Sequence, residues 1–112
     1  MGHTDNALLA RYAGVLAEDD CVFPGPGVVY LYACGEDAPV YIGRAANLRH
    51  AIRWQRYQLS RQNGPGTNEV RWEAVATASE LEAVSLEQNE LRRLRPRLNV
   101  GAIERTGALE AA

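Results

Sequence analysis

The run Phe23-Pro24-Gly25-Pro26-Gly27 constrains this chain more than any other stretch, because neither a helix nor a central strand can pass through it. Proline lacks the backbone donor, and glycine loses the most entropy in a regular element. Whatever precedes Phe23 must end there, and a new element must start at about Gly27. The next residues say which kind. Val28 to Ala33 is β-branched and aromatic, and Val40-Tyr41-Ile42 repeats that character after Cys34-Gly35-Glu36-Asp37-Ala38-Pro39. The pattern predicts a hairpin with a longer loop. Alternation puts Val28, Tyr30 and Tyr32 on one face of their strand and Tyr41 with Gly43 on one face of the other.

The rest of the chain is punctuated in the same way. Leu8, Leu9, Tyr12, Val15 and Leu16 fall at helical spacing behind a capping Thr4 or Asp5, which predicts a helix over about 5–19. From Ala45 to about Arg61, Leu48, Ile52 and Leu59 mark an apolar stripe, with Arg49, Arg53 and Arg56 on the stripe beside it. Asn63-Gly64-Pro65-Gly66 breaks that helix, and Val70 to Ala76 alternates as a third strand. Ser79 with Glu82 forms a capping box that opens a last helix to about Leu94, stopped by Pro96. With 112 residues there is room for one core. The expectation is one α/β domain over 1–112, a small three-stranded antiparallel sheet flanked by helices, with a tail over 100–112.

Composition narrows the function classes. No apolar run reaches the roughly 20 residues of a membrane helix, and no basic segment followed by an apolar one opens the chain. Two cysteines, Cys21 and Cys34, suggest ordinary thiols in a reducing cytoplasm, and His3 and His50 make no metal-ligand pair, which disfavours zinc. The net charge of -2 hides strong segregation: residues 44–68 carry five Arg and no acid, and residues 92–99 carry four Arg. All 12 basic side chains are Arg, whose fork suits phosphate oxygens. Solvated helix faces pairing with the acidic blocks would look the same.

One residue breaks the hydrophobic pattern. Val84, Leu91 and Leu94 form the apolar stripe of the last helix, and Glu87 falls inside it. A carboxylate there needs a partner, and an Arg, a metal ion or a helix end would each serve. Tyr30, Tyr32 and Tyr41 are equally open between cross-strand packing and function. Gly43 fits a sharp exit from the strand or the close approach of a phosphate.

Taken in order, Gly27-Val28-Val29-Tyr30, Val40-Tyr41-Ile42-Gly43-Arg44-Ala45-Ala46-Asn47-Leu48-Arg49, Leu86-Glu87-Gln88-Asn89 and Arg95-Pro96-Arg97-Leu98-Asn99 resemble the GIY-YIG nuclease family over residues 27–99. With Tyr30 matched to the first motif, Val28 stands where the family has Gly, and Gly27 lies one position earlier. The resemblance implies that Tyr30 and Tyr41 line a catalytic face and contact the attacking water. It makes Glu87 the ligand of one Mg²⁺ or Mn²⁺ and Asn99 a supporting residue, with Arg44 a basic residue beside the second motif. The substrate it implies is DNA, single- or double-stranded, with Arg44, Arg49, Arg53, Arg56, Arg95 and Arg97 as candidate backbone contacts.

The family's phosphate-holding Arg lies ten residues after the second-motif Tyr, and that position is Ala51 here. Four residues further on, an aromatic or His side chain is replaced by Gln55. Arg49 and Arg53 lie about 200° around the helix from Ala51, so neither substitutes directly. Three explanations fit: an engineered Arg-to-Ala change, a natural inactive relative, or a neighbouring Arg in the role. The first is the expectation, because Ala is what an experimenter inserts. The alternative function is a catalytically inactive scaffold that binds DNA or a protein.

Overall fold

The computed structural model describes residues 10–62 and 70–99. Within them lie β1 (Arg11–Val15), β2 (Gly27–Tyr32), β3 (Tyr41–Ala45), α1 (Leu48–Gln62), β4 (Arg71–Ala76) and α2 (Glu80–Leu94). The strands form one sheet in the order β1-β4-β2-β3, and every neighbouring pair is antiparallel. The predicted hairpin is present as β2 and β3, with Val29 opposite Gly43 and Leu31 opposite Tyr41. Both predicted helices after it are present as well.

The sheet has four strands, not three, and the fourth replaces a predicted helix. Arg11–Val15 pairs with β4, Tyr12 opposite Ala74 and Gly14 opposite Trp72. Residues 5–9 of the expected helix lie outside the described residues, as does the 100–112 tail. The pairing partner of β1 lies some 60 residues along the chain, so no local pattern announces it. Gly14 adds a local reason, since a Cβ there would stand 2.6 Å from Asp19 Cβ and 3.0 Å from Trp72 Nε1.

Two apolar clusters sandwich the sheet. On the α1 side, Leu16, Val29, Leu31, Leu48, Ile52, Trp72, Ala74 and Ala76 close around each other, with Tyr12, Tyr41 and Ala51 packed at the margin. On the α2 side, Val28, Tyr30, Ile42, Val75 and Ala83 form a smaller one. The Pro/Gly loop has a positive role here: the carbonyls of Gly25 and Phe23 accept from the Leu48 and Arg49 amides, satisfying the exposed donors that open α1. Asn47 adds a cap, its Oδ1 accepting from the His50 amide. A Cβ on Gly27 would run into the Val75 carbonyl and the Leu48 side chain, so the tight loop–sheet seam needs glycine. The capping box of α2 forms with Ser79 Oγ accepting from the Glu82 amide at 3.1 Å. No helix among the described residues is long and apolar enough to cross a membrane.

Candidate active site

β3 is an edge strand, so the amides of Ile42 and Arg44, which alternate toward the open side, have no strand to bond. Side chains satisfy them. Asn99 brackets Ile42, its Oδ1 accepting from the amide at 2.6 Å and its Nδ2 donating to the carbonyl at 2.8 Å. Glu87, from α2, accepts from the Arg44 amide at 3.1 Å. The residue that broke the apolar pattern thus reaches a sheet edge, where backbone donors meet its charge.

Asn99 reaches this position because the chain after α2 is tied back. Arg95 ends the helix in a left-handed conformation with φ of 45°, and its amide bonds the Leu91 carbonyl. The Leu98 amide then donates to the Val40 carbonyl, and Arg97 grips Glu36 through both guanidinium nitrogens at 2.6 and 3.0 Å.

Tyr41 approaches the same edge from the α1 face. Its ring folds back over Gly43: a Cβ on residue 43 would lie 2.6 Å from the Tyr41 hydroxyl oxygen. The second motif's glycine is therefore required by close approach, but of the tyrosine. Burial pushes the Tyr41 phenol above its ordinary pKa, the Glu87 carboxylate adds to the rise, and a hydrogen bond with Gln55 partly opposes it. Tyr41 is held as a neutral phenol beside a carboxylate. Glu87 also faces the Arg44 guanidinium at 3.6 Å, with 20% of its own side chain exposed. The ion-pair answer to Glu87 is thus realised, loosely, by a residue of the second motif.

Other candidates fall elsewhere. Tyr30 lies on the opposite face of the sheet, 6% exposed in the α2-side cluster, with its hydroxyl donating to Glu90 at 2.9 Å. Glu90 is itself gripped by Arg93. Facing Gly43 on the Tyr41 side is Val29, which is buried and apolar. The structure therefore does not bring Tyr30 together with Tyr41, Glu87 and Asn99, because one residue of register reverses the face. Ala51 packs at the margin of the α1-side cluster.

The arginines divide as well. Arg56 holds the exit of β1, donating to the Leu16 carbonyl at 2.7 Å, the Asp19 carbonyl at 2.6 Å and Asp20 at 2.6 Å. Arg56, expected to contact a DNA backbone, is thus engaged by the protein's own chain. Arg53 stands 3.5 Å from Asp20, and Arg97 is committed to Glu36. Arg49 and Arg95 form no ion pair among the described residues. No group of three metal-ligating side chains gathers among the described residues.

Sequence reasoning passed over Trp54 and Tyr57, both more than half exposed on α1. Two aromatics three residues apart on a helix without acids were the available signal.

Residues 25–100 match the family model of the UvrC-like GIY-YIG domain. UvrABC system protein C of Chlorobaculum tepidum is 35% identical over 91 residues, covering 76% of this chain and 14% of that protein. The same protein of Acidobacterium capsulatum is 37% identical over 81 residues, covering 68% of this chain and 12% of its own length. The chain thus spans a small part of these relatives. Among solved structures, the GIY-YIG N-terminal endonuclease domain of UvrC from Thermotoga maritima, bound to its catalytic magnesium, superposes with a TM-score of 0.52 at 27% identity. That match covers 67% of this chain and 83% of that one.

Proposed function

Because this chain belongs to the family of UvrC-like GIY-YIG domains, we propose that it is a DNA endonuclease domain that hydrolyses phosphodiester bonds with one divalent cation, at a rate lowered by Ala51. The observation that carries this reading is the convergence of Tyr41, Glu87 and Asn99 on the open edge of β3. The donor set fits magnesium: Glu87 is a single, partly exposed carboxylate whose Arg44 contact is long, and magnesium commonly takes one or two carboxylates with waters and substrate phosphate oxygens. Bound there, the cation would stabilise charge developing on the phosphate and the leaving oxygen.

The chain's own residues supply the rest. Tyr41, neutral across the physiological range, orients the attacking water through its hydroxyl, beside the Glu87 carboxylate. Water oxygen adds to phosphorus and gives up a proton to solvent, the bond to the leaving oxygen breaks, and solvent supplies a proton to that oxygen. Arg44 lies beside Glu87 and offers a guanidinium to the phosphate. Asn99 fixes the strand on which Tyr41 and Arg44 stand.

A second reading, a DNA-binding or protein-binding scaffold without cleavage, is favoured by Val29, Ala51 and Gln55 together. Val29, and not Tyr30, stands on the Tyr41 face where the resemblance calls for a tyrosine, and Ala51 and Gln55 stand where it calls for an arginine and an aromatic or His side chain. Three departures at one face, two of them at the α1-side cluster and the third beside Tyr41, favour natural divergence over a single engineered change.

Cleavage of labelled single- and double-stranded DNA in Mg²⁺ or Mn²⁺ separates the two. Ala51→Arg is expected to raise cleavage by about 10²-fold, the usual worth of one transition-state donor, and Glu87→Gln to abolish it. If the Ala51→Arg protein binds DNA and still does not cut, the scaffold reading stands instead.

A further inference from the structure

Helix α1 turns two rings to solvent. Trp54 is 56% exposed and Tyr57 is 51% exposed, whereas Trp72 is 1% exposed in the core. The two ring centroids lie 5.7 Å apart with planes inclined by 31°. The Arg61 guanidinium sits 5.8 Å from the Tyr57 ring centre, and His50 and Arg53 complete a shallow depression around the rings. Positions 50, 54, 57 and 61 follow one stripe of the helix, while Leu48 and Ile52 face the core. Neither the core nor the β3 edge uses this stripe.

Its charge is one-sided. No acid occurs anywhere in α1. Arg53, beside the stripe, meets a carboxylate, Asp20 at 3.5 Å, and Arg56 already holds that carboxylate at 2.6 Å. Exposed aromatic rings beside Arg61, and beside Arg53, which shares one carboxylate with Arg56, complement a polyanion that also carries flat apolar rings. From this we infer that the Trp54–Tyr57 stripe is a stacking platform for unpaired bases of single-stranded DNA, with Arg53 and Arg61 meeting the adjacent phosphates. Duplex DNA does not fit, because its bases are stacked on each other. Gln55, one residue along, sits about 100° around the helix from Trp54 and faces Tyr41.

The inference takes its ligand class from the DNA reading above but does not depend on cleavage, so the test is run in EDTA. The full chain is titrated with oligothymidylate and with a duplex of equal length, following tryptophan emission and the anisotropy of a labelled oligonucleotide. Expected are quenching by the single strand, tighter binding of single strand than duplex, and a loss of single-strand affinity of about 5- to 100-fold in Trp54→Ala or Tyr57→Ala. Trp54→Phe should retain most of it, and duplex affinity should move less than about twofold in all three variants. Single-strand binding unchanged by both alanine variants would overturn the platform and leave the DNA reading intact. A dimer that Trp54→Ala converts to monomer in sedimentation would reassign the rings to a contact between copies. Failure to bind either DNA form would remove the DNA reading and the platform with it.

Discussion

At the scale of single residues, the site depends on a glycine next to a tyrosine. The Tyr41 ring occupies the space a side chain at 43 would need, the three nearest atoms to such a Cβ all belonging to Tyr41. Gly43→Ala should therefore destabilise the fold by about 1–3 kcal/mol, the usual cost of overpacking. In a Tyr41→Ala background the same change should cost less than about 0.5 kcal/mol, and a double-mutant cycle by urea unfolding measures the difference. The letters and spacing of Tyr41, Glu87 and Asn99 are distinctive in the sequence, and the three meet at the β3 edge. Tyr30, expected on the same face, points the other way for a physical reason: strand side chains alternate, and the Val28-Val29-Tyr30 spelling adds one residue, which carries the hydroxyl through the sheet to Glu90.

Among the elements, those stabilised locally were readable and those stabilised at a distance were not. α2 announces itself through Ser79 and Glu82, and the β2–β3 hairpin through its β-branched runs, because cap and turn chemistry act within a few residues. β1 is defined by pairing with β4 and by the fit of Gly14 against Trp72, neither of which leaves a trace in a short window. Tyr12, Val15 and Leu16 satisfy a helical spacing by coincidence, since Arg11–Val15 is a strand. The exit of β1 then relies on α1, because Arg56 answers two backbone carbonyls and Asp20 with one fork. Arg56→Ala should lower stability by about 1 kcal/mol in urea unfolding, since it leaves the part-buried Leu16 carbonyl without its partner while water reaches Asp19 and Asp20. Arg56→Lys should recover little of it, as an ammonium cannot span the three acceptors. Arg49→Ala should stay within about 0.5 kcal/mol.

Over the whole molecule, the sheet carries tyrosines on both faces, and all three central ones resist ionisation. Burial, reinforced by Glu90, raises Tyr30; burial with Glu73 pushes Tyr32 up to about 12; burial with Glu87 raises Tyr41. An unfolded tyrosine ionises near pH 10. Above that pH the unfolded chain holds fewer of these protons than the folded one, so stability falls with rising pH. The stabilisation is fully present below about pH 10 and is lost as pH climbs through the folded values. Urea midpoints measured from pH 8 to 12 should be flat at first and then decline, and Tyr30→Phe should make the decline shallower.

The open edge of β3 has a consequence of a different kind. A bare edge strand invites another chain to add to the sheet, and Glu87 and Asn99 occupy the donors through which it would add. The same two side chains that the proposed hydrolysis uses thereby cover the donors of the edge. Replacing either with Ala should uncover one of those donors and raise self-association, which light scattering at increasing concentration measures, whether or not the molecule cuts DNA.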